Sequence, residues 1–167
     1  PISKNWSEEV INYYIDSRKL ECDVTSFRLF NIIGPRETND HLIPAILNQI
    51  KDGKTTIMHG NLAPERDYIH VFDVARAFYL WIESNSDYFP KAINVCTGYE
   101  FSVSDVINCC FDVTNIKCKL VLDKDRVRKN DRLHQKGSNK LLKDCLGWND
   151  TKSLKDGIND LWVDINS

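Results

Sequence analysis

The sequence predicts an α/β fold with parallel strand pairing, and three observations predict it. Short β-branched and aromatic runs alternate with segments of helical periodicity along the 167 residues. Two of those runs, VTSFRLFN at 24–31 and AINVCTG at 92–98, read as strands, the second of a buried type that ends in glycine. The third observation is an omission. The chain has seven glycines but no G-x-G-x-x-G turn, the phosphate-binding feature with which a doubly wound sheet normally starts. Either the fold is a different one, or the nucleotide-binding half lies outside this chain.

In chain order, Trp6, Val10, Tyr13 and Tyr14 recur near helical spacing, which predicts a helix over 3–19. Glu8 and Glu9 come early in it and Arg18 and Lys19 late, an order that suits the helix dipole. After the strand at 24–31, Gly34-Pro35 breaks the chain direction. A helix follows over 42–51, with Pro44 in its first turn, and Asp52-Gly53 ends it. TTIMH (55–59) and DYIHV (67–71) are short strands around a polar loop. Asp73 is the expected N-cap of a helix over 74–84, whose Val74, Ala77, Phe78 and Trp81 form one apolar face. Ser102 and Asp105 have capping-box spacing before a helix at 103–113. A strand at 119–123 and helices at 139–145 and 153–165 complete the reading.

Composition bounds function. A chain of 167 residues suits one domain or one and a half, and a net charge of −2 makes the molecule as a whole no polyanion binder. No run approaches the ~18 apolar residues of a membrane span, and no signal-peptide core is visible at the start of the sequence. The six cysteines form no C-x-x-C, and no histidine stands at zinc-finger spacing, so no metal site is expected. They read as reduced thiols of a cytoplasmic protein, with Cys96 and Cys109 or Cys110 in the core. No neighbour activates any of them as a nucleophile.

Four stretches in order carry more: PISK with a downstream glutamate, RLFNIIGPR at 28–36, RDYIHVFDVA at 66–75, and R-x-x-D at 128–131 followed by SNKLLKDCLGW. With these, nearly the whole chain, to about Trp162, resembles the extended short-chain dehydrogenase/reductase family, in its NAD-dependent epimerase/dehydratase branch acting on nucleotide sugars. The resemblance implies the C-terminal part of a Rossmann-like protein. Residues 1–36 and 71–98 would be the remainder of the NAD-binding domain, and 37–70 and 99–167 a small α/β substrate-binding domain.

The same resemblance assigns roles. Lys4 matches the lysine of Tyr-x-x-x-Lys, with the tyrosine expected immediately before Pro1. Residues i and i+4 share a helix face, and the lysine's charge lowers the phenol's pKa for proton exchange with a sugar hydroxyl. Lys4 would also hold the ribose of NAD or NADP. The alternative is one more basic residue on a solvated turn. Asn31, at a strand end, is expected at the phosphate region of the nucleotide sugar, or else in a local turn hydrogen bond. His41 and Leu42 open a helix whose N–H groups suit phosphate, although the family often has asparagine where His41 stands. Ile57 and His59 match nucleobase contacts. Arg66 offers a planar donor fork for a pyrophosphate; the alternative is an ion pair with Glu65, Asp67 or another acid. Tyr68, Ile69 and His70 read as structural. Arg128 and Asp131 match an arginine for pyrophosphate and an aspartate for ribose hydroxyls, with Lys129-Asn130 where the family usually has proline-glycine.

The expectation is therefore the substrate-binding portion of an NAD-dependent nucleotide-sugar epimerase or dehydratase, inactive alone. The expected partners are a nucleotide-diphosphate sugar and a second copy in a homodimer, with Trp6, Tyr13 and Tyr14 at the interface or in the core. The alternative is a non-catalytic nucleotide- or nucleic-acid-binding module using the basic stretch 117–143, which holds ten Lys/Arg and three Asp. Its lack of interleaved aromatics and a pI near 6.1 argue against nucleic acid.

Overall fold

The computed structural model describes residues 2–17, 24–84 and 90–167. The chain begins with α1 (Ile2–Asp16), β1 (Ser26–Leu29), β2 (Asn31–Ile33), α2 (Leu42–Lys51) and β3 (Thr56–His59). It continues with β4 (Glu65–Arg66), β5 (Tyr68–His70), α3 (Val71–Ile82), β6 (Ala92–Val95), β7 (Phe101–Ser102) and α4 (Val103–Thr114). It ends with β8 (Lys119–Leu122), a 3-10 turn (Lys124–Arg126), α5 (Lys140–Leu146) and α6 (Leu154–Asn166). Arg18 and Lys19, expected in the last turn of the first helix, lie outside the described residues, as do Pro1 and Cys22.

Three strand pairs are parallel, β1 with β6, β2 with β5 and β3 with β8, while the short β4 and β7 pair antiparallel. The alternation of strands and helices therefore gives the α/β fold its sequence predicts. Two boundaries differ. The run expected as one strand at 24–31 is two, because the chain changes partner at Phe30. The Phe30 amide donates to the Val95 carbonyl at 3.2 Å and the Asn31 amide to the Asp67 carbonyl at 3.2 Å. The helix expected from an Asp73 cap starts earlier. His70 is its N-cap, and His70 Nδ1 accepts from the Phe72 amide at 3.1 Å. Asp73 is instead a buried anchor. Its carboxylate accepts from the Thr151 amide and hydroxyl and from the Lys152 amide at 2.7–3.1 Å, fixing the turn before α6.

The apolar residues collect in two clusters. One joins Ile33, the inner face of α2, Ile57, the inner face of α4, and Leu154, Ile158 and Leu161 of α6. The other joins Ile69, Val74 and Ala77 to Ile93 and Val95, closed by Leu142 and Trp148. Cys96 and Cys110 are buried, and Cys109 is half-buried. Glycine permits one of the closest approaches. A Cβ at Gly157 would lie 2.7 Å from Ile33 Cγ2, so only glycine lets α6 settle on β2. Ser102–Asp105 and Ser153–Asp156 form complete capping boxes at the starts of α4 and α6.

No residue of α1 is buried. The helix is tied to the sheet by the ion pairs Arg28–Glu8 and Lys91–Asp16. Trp6 and Tyr13 are at least 60% exposed, so the core alternative for them does not hold within this chain. Among the described residues no helix is long and apolar enough to cross a membrane.

Candidate functional site

A cavity of about 520 Å³ opens where α2, the C-terminal end of β3, β4 and the segment after β8 converge. A parallel sheet directs its C-terminal strand ends toward such crevices. Gly60 makes the geometry possible. A Cβ there would lie 2.6 Å from the Arg126 carbonyl oxygen, so glycine lets the end of β3 touch the 3-10 turn.

Seven residues expected from the sequence to meet substrate line this cavity: Asn31, His41, Leu42, His59, Arg66, Arg128 and Asp131. Ile57, the eighth, does not. It sits mid-strand and is fully buried in the first core cluster, which corrects the expectation that its side chain meets a ligand. Met58 and His59, nearer the strand end, line the wall instead. Lys4 lies outside the cavity, exposed in the first turn of α1, and makes no ion pair among the described residues.

Each lining side chain is held differently. Asn31 Nδ2 donates to the Asp67 carbonyl at 2.9 Å, a contact from β2 across to β5 rather than a local turn. His41 begins α2 without capping it; its Nδ1 pairs with Glu37 Oε1 at 2.8 Å. The first turn of α2 contains no acidic residue and His41 does not cap it, so its first N–H groups remain open, with Glu37 and Asp40 just before the helix. His59 Nδ1 lies 2.7 Å from the Gly60 carbonyl. A carbonyl can only accept, so Nδ1 is the donor in this contact. Arg66 donates to the Glu65 and Arg132 carbonyls at 2.8 and 2.7 Å and to Asp131 Oδ1 at 2.7 Å. Its ion pair is thus with Asp131, neither Glu65 nor Asp67. The expected ribose acceptor and pyrophosphate donor are clamped together. Arg128 lies on an exposed loop and has no ion-pair partner among the described residues.

Sequence reasoning missed several wall residues. Gln49 is buried, accepting from the Met58 amide at 3.0 Å and donating to the Ala45 carbonyl at 2.9 Å, and so joins α2 to β3. Arg126 stands two positions before Arg128 in the basic stretch, which was the available signal for it. Tyr68, read as structural, also lines the cavity; burial pushes its phenol up to about 12, so it stays protonated near neutral pH. Among the described residues no cysteine, serine or threonine lines the wall. Arg128 and the start of α2 are open to an anion, while Arg66 is clamped to Asp131 and Arg126 pairs with Asp123, and Glu37, Asp40 and Asp125 add carboxylates to the same wall.

Behind this wall Asp67 is fully buried. Its carboxylate accepts from the Thr97 amide and hydroxyl at 2.9 and 2.7 Å and from the Gly98 amide at 2.8 Å. Asp67 thus ties the end of β6 to the strand that carries Arg66.

Parallel strand pairs alternating with helices, with a crevice at the C-terminal end of β3, define the class of fold as α/β, and comparison with known proteins narrows it. Residues 1–96 match the NAD dependent epimerase/dehydratase family. The chain is 32% identical over 155 residues to a UDP-glucose 4-epimerase of Corynebacterium glutamicum, covering 83% of this chain and 46% of that protein. It is 28% identical over 145 residues to a GDP-6-deoxy-D-mannose reductase of Pseudomonas aeruginosa, covering 84% and 47%. Among solved structures, a UDP-glucose 4-epimerase of Thermotoga maritima with UDP-glucose superposes with a TM-score of 0.85 at 23% identity, over 99% of this chain and 52% of that one. The chain belongs to the NAD dependent epimerase/dehydratase family. It spans about half the length of the curated relatives it matches.

Proposed function

We propose that this chain is the substrate-binding part of an NAD-dependent epimerase or dehydratase acting on a nucleotide-diphosphate sugar. The observation that carries the reading is the gathering of Arg66, Arg128, Asp131, Asn31 and the start of α2 around one cavity of about 520 Å³. That volume lies within the usual ~300–1,000 Å³ of small-ligand sites. In this reading the guanidinium groups and helix start hold the pyrophosphate, Asp131 accepts from ribose hydroxyls, and His59 borders the base. The division into residues 1–36 with 71–98 and 37–70 with 99–167 belongs to the proposal. The two core clusters follow this division in part: Ile33 packs with residues of 37–70 and 99–167, while Ile69, Leu142 and Trp148 pack with those of 71–98.

The cofactor, when bound, supplies a reversible hydride acceptor for the sugar ring. In this reading Lys4, exposed and without an ion pair among the described residues, would stand beside its ribose. Its charge would lower the pKa of a neighbouring phenol. A homodimer, a cytoplasmic location and the absence of nucleic-acid binding complete the proposal.

Calorimetric titration of the intact protein with UDP, GDP, dTDP and CDP tests it. One diphosphate should bind saturably, and Arg66→Ala and Arg128→Ala should each weaken it at least tenfold. Silence from all four in the folded protein, or binding indifferent to both substitutions, overturns the assignment.

A further inference from the structure

Outside the cavity, three side chains from distant parts of the chain meet at the β4–β7 ribbon. They are Glu65 of β4, Glu100 just before β7, and His134 in the segment leading to α5. Their ligand atoms all lie within 4.8 Å of one another. His134 Nδ1 is 3.4 Å from Glu65 Oε2 and 3.7 Å from Glu100 Oε2. The longer separation is beyond a hydrogen bond and the shorter is at its outer limit.

We propose that Glu65, Glu100 and His134 form a binding site for a divalent transition-metal ion, best suited to Zn²⁺. Two features beyond the clustering support it. The first is Glu100. Its side chain is 13% exposed, yet its Oε1 is buried and has no hydrogen-bond partner among the described residues. A buried carboxylate oxygen without a donor is costly, and that cost points to a cation. Neither glutamate pairs with a lysine or arginine among the described residues, which leaves the His134 ring as the one cationic side chain in reach of both carboxylates there. The second feature is spacing. Oxygen and nitrogen atoms held about 2.0–2.2 Å from one tetrahedral ion stand roughly 3.3–3.6 Å apart. The separations from Nδ1 are 3.4 and 3.7 Å, and the two carboxylates, within 4.8 Å of each other, would close slightly on the ion. One imidazole with two carboxylates is a donor set for zinc, with water completing the tetrahedron; calcium needs six to eight oxygens.

The ion would join the ribbon to the segment at 127–139. The Glu65 amide already donates to the Leu133 carbonyl at 2.6 Å, and Arg66 to the Arg132 carbonyl. Zinc there would pin the stretch that carries Arg128 and Asp131 against β4. The sequence reading expected no metal because it looked for local Cys/His spacing. These ligands stand 35 and 34 residues apart in the chain, so no local pattern marks them.

The test is zinc titration of the intact, chelator-stripped protein by calorimetry, with calcium as the comparison ion. Wild-type protein should bind Zn²⁺ with affinity that falls at least tenfold in both His134→Ala and Glu100→Gln, while Ca²⁺ gives no saturable heat. Thermal unfolding of each variant confirms that it is folded, and His134, on an exposed segment, is the safer of the two. Absence of saturable zinc binding overturns the proposal. So does zinc binding unchanged in the folded variants, which would place the ion on cysteine thiols. Calcium binding as tight as zinc would mark a generic acidic patch and overturn it too. None of these outcomes depends on the nucleotide-sugar reading of the cavity.

Discussion

Arg66 lines the cavity, while its neighbour Asp67 is fully buried behind it, and the pair divides recognition from support. Each oxygen of the Asp67 carboxylate takes N–H donors from the 97–98 turn, Oδ1 from Thr97 and Oδ2 from Gly98. An asparagine would turn an amide donor toward one of those N–H groups and leave it unsatisfied. A buried donor without an acceptor costs about 1–3 kcal/mol. Asp67→Asn should therefore destabilise the protein by about 1–3 kcal/mol, read as a lower urea midpoint at constant slope. A midpoint equal to wild type would show that the turn is held by other means. This residue was legible only as a type: an aspartate following an arginine. Its partners, Thr97 and Gly98, are some thirty positions away, and no periodicity announces such a contact. Arg66 itself was legible as a phosphate donor by its chemistry, but its partner was not. Asp131 is 65 positions distant, whereas Glu65 and Asp67 are adjacent and unused by its guanidinium.

At the scale of elements, the sequence reveals what local chemistry decides. The capping boxes of α4 and α6 were each set within four residues; the one at Ser102–Asp105 was read directly, and a helix beginning at Ser153 was expected. What it hides is partner choice. VTSFRLFN reads as one strand because every residue suits one, and the break at Phe30 exists only because β6 and β5 sit on successive stretches. Asp73 has the residue type of a cap, but tertiary donors at Thr151 and Lys152 claim it, and His70 caps in its place. The capping boxes carry a pH prediction. The Ser153 hydroxyl and backbone amide hold the Asp156 carboxyl below its ordinary value. A group with a depressed folded-state pKa adds stability above its unfolded value, near pH 4, and loses it as pH falls through the folded value. Asp156→Asn should cost about 0.5 kcal/mol at pH 7, a figure kept small by its solvent exposure. The difference from wild type should shrink steadily below about pH 4 in urea titrations. A gap that persists undiminished at pH 2 would mean that the charge plays no part.

At the scale of the molecule, α1 is the anomaly. A helix in a stable fold normally buries one stripe, yet no residue of α1 is buried here, and Ile2, Trp6 and Val10 are all more than half exposed. Exposed apolar faces of this kind mark interfaces. On α3, Tyr79 and Ile82 are also exposed, at 60% and 70%. Two ion pairs, Arg28–Glu8 and Lys91–Asp16, fix where α1 sits, but exposed pairs contribute little, on the order of 0–1 kcal/mol each. The helix therefore needs apolar cover to hold its place, and in the proposed homodimer a second copy supplies it. The intact protein should sediment as a dimer. Trp6→Lys and Val10→Lys together should shift it toward monomer at micromolar concentration, since two lysines would have to be desolvated in an apolar contact. Helical circular dichroism should be retained, because neither residue is buried within the chain. A dimer undisturbed by both substitutions would move the interface elsewhere. A wild-type monomer would mean instead that the apolar face of α1 is covered from within the same protein.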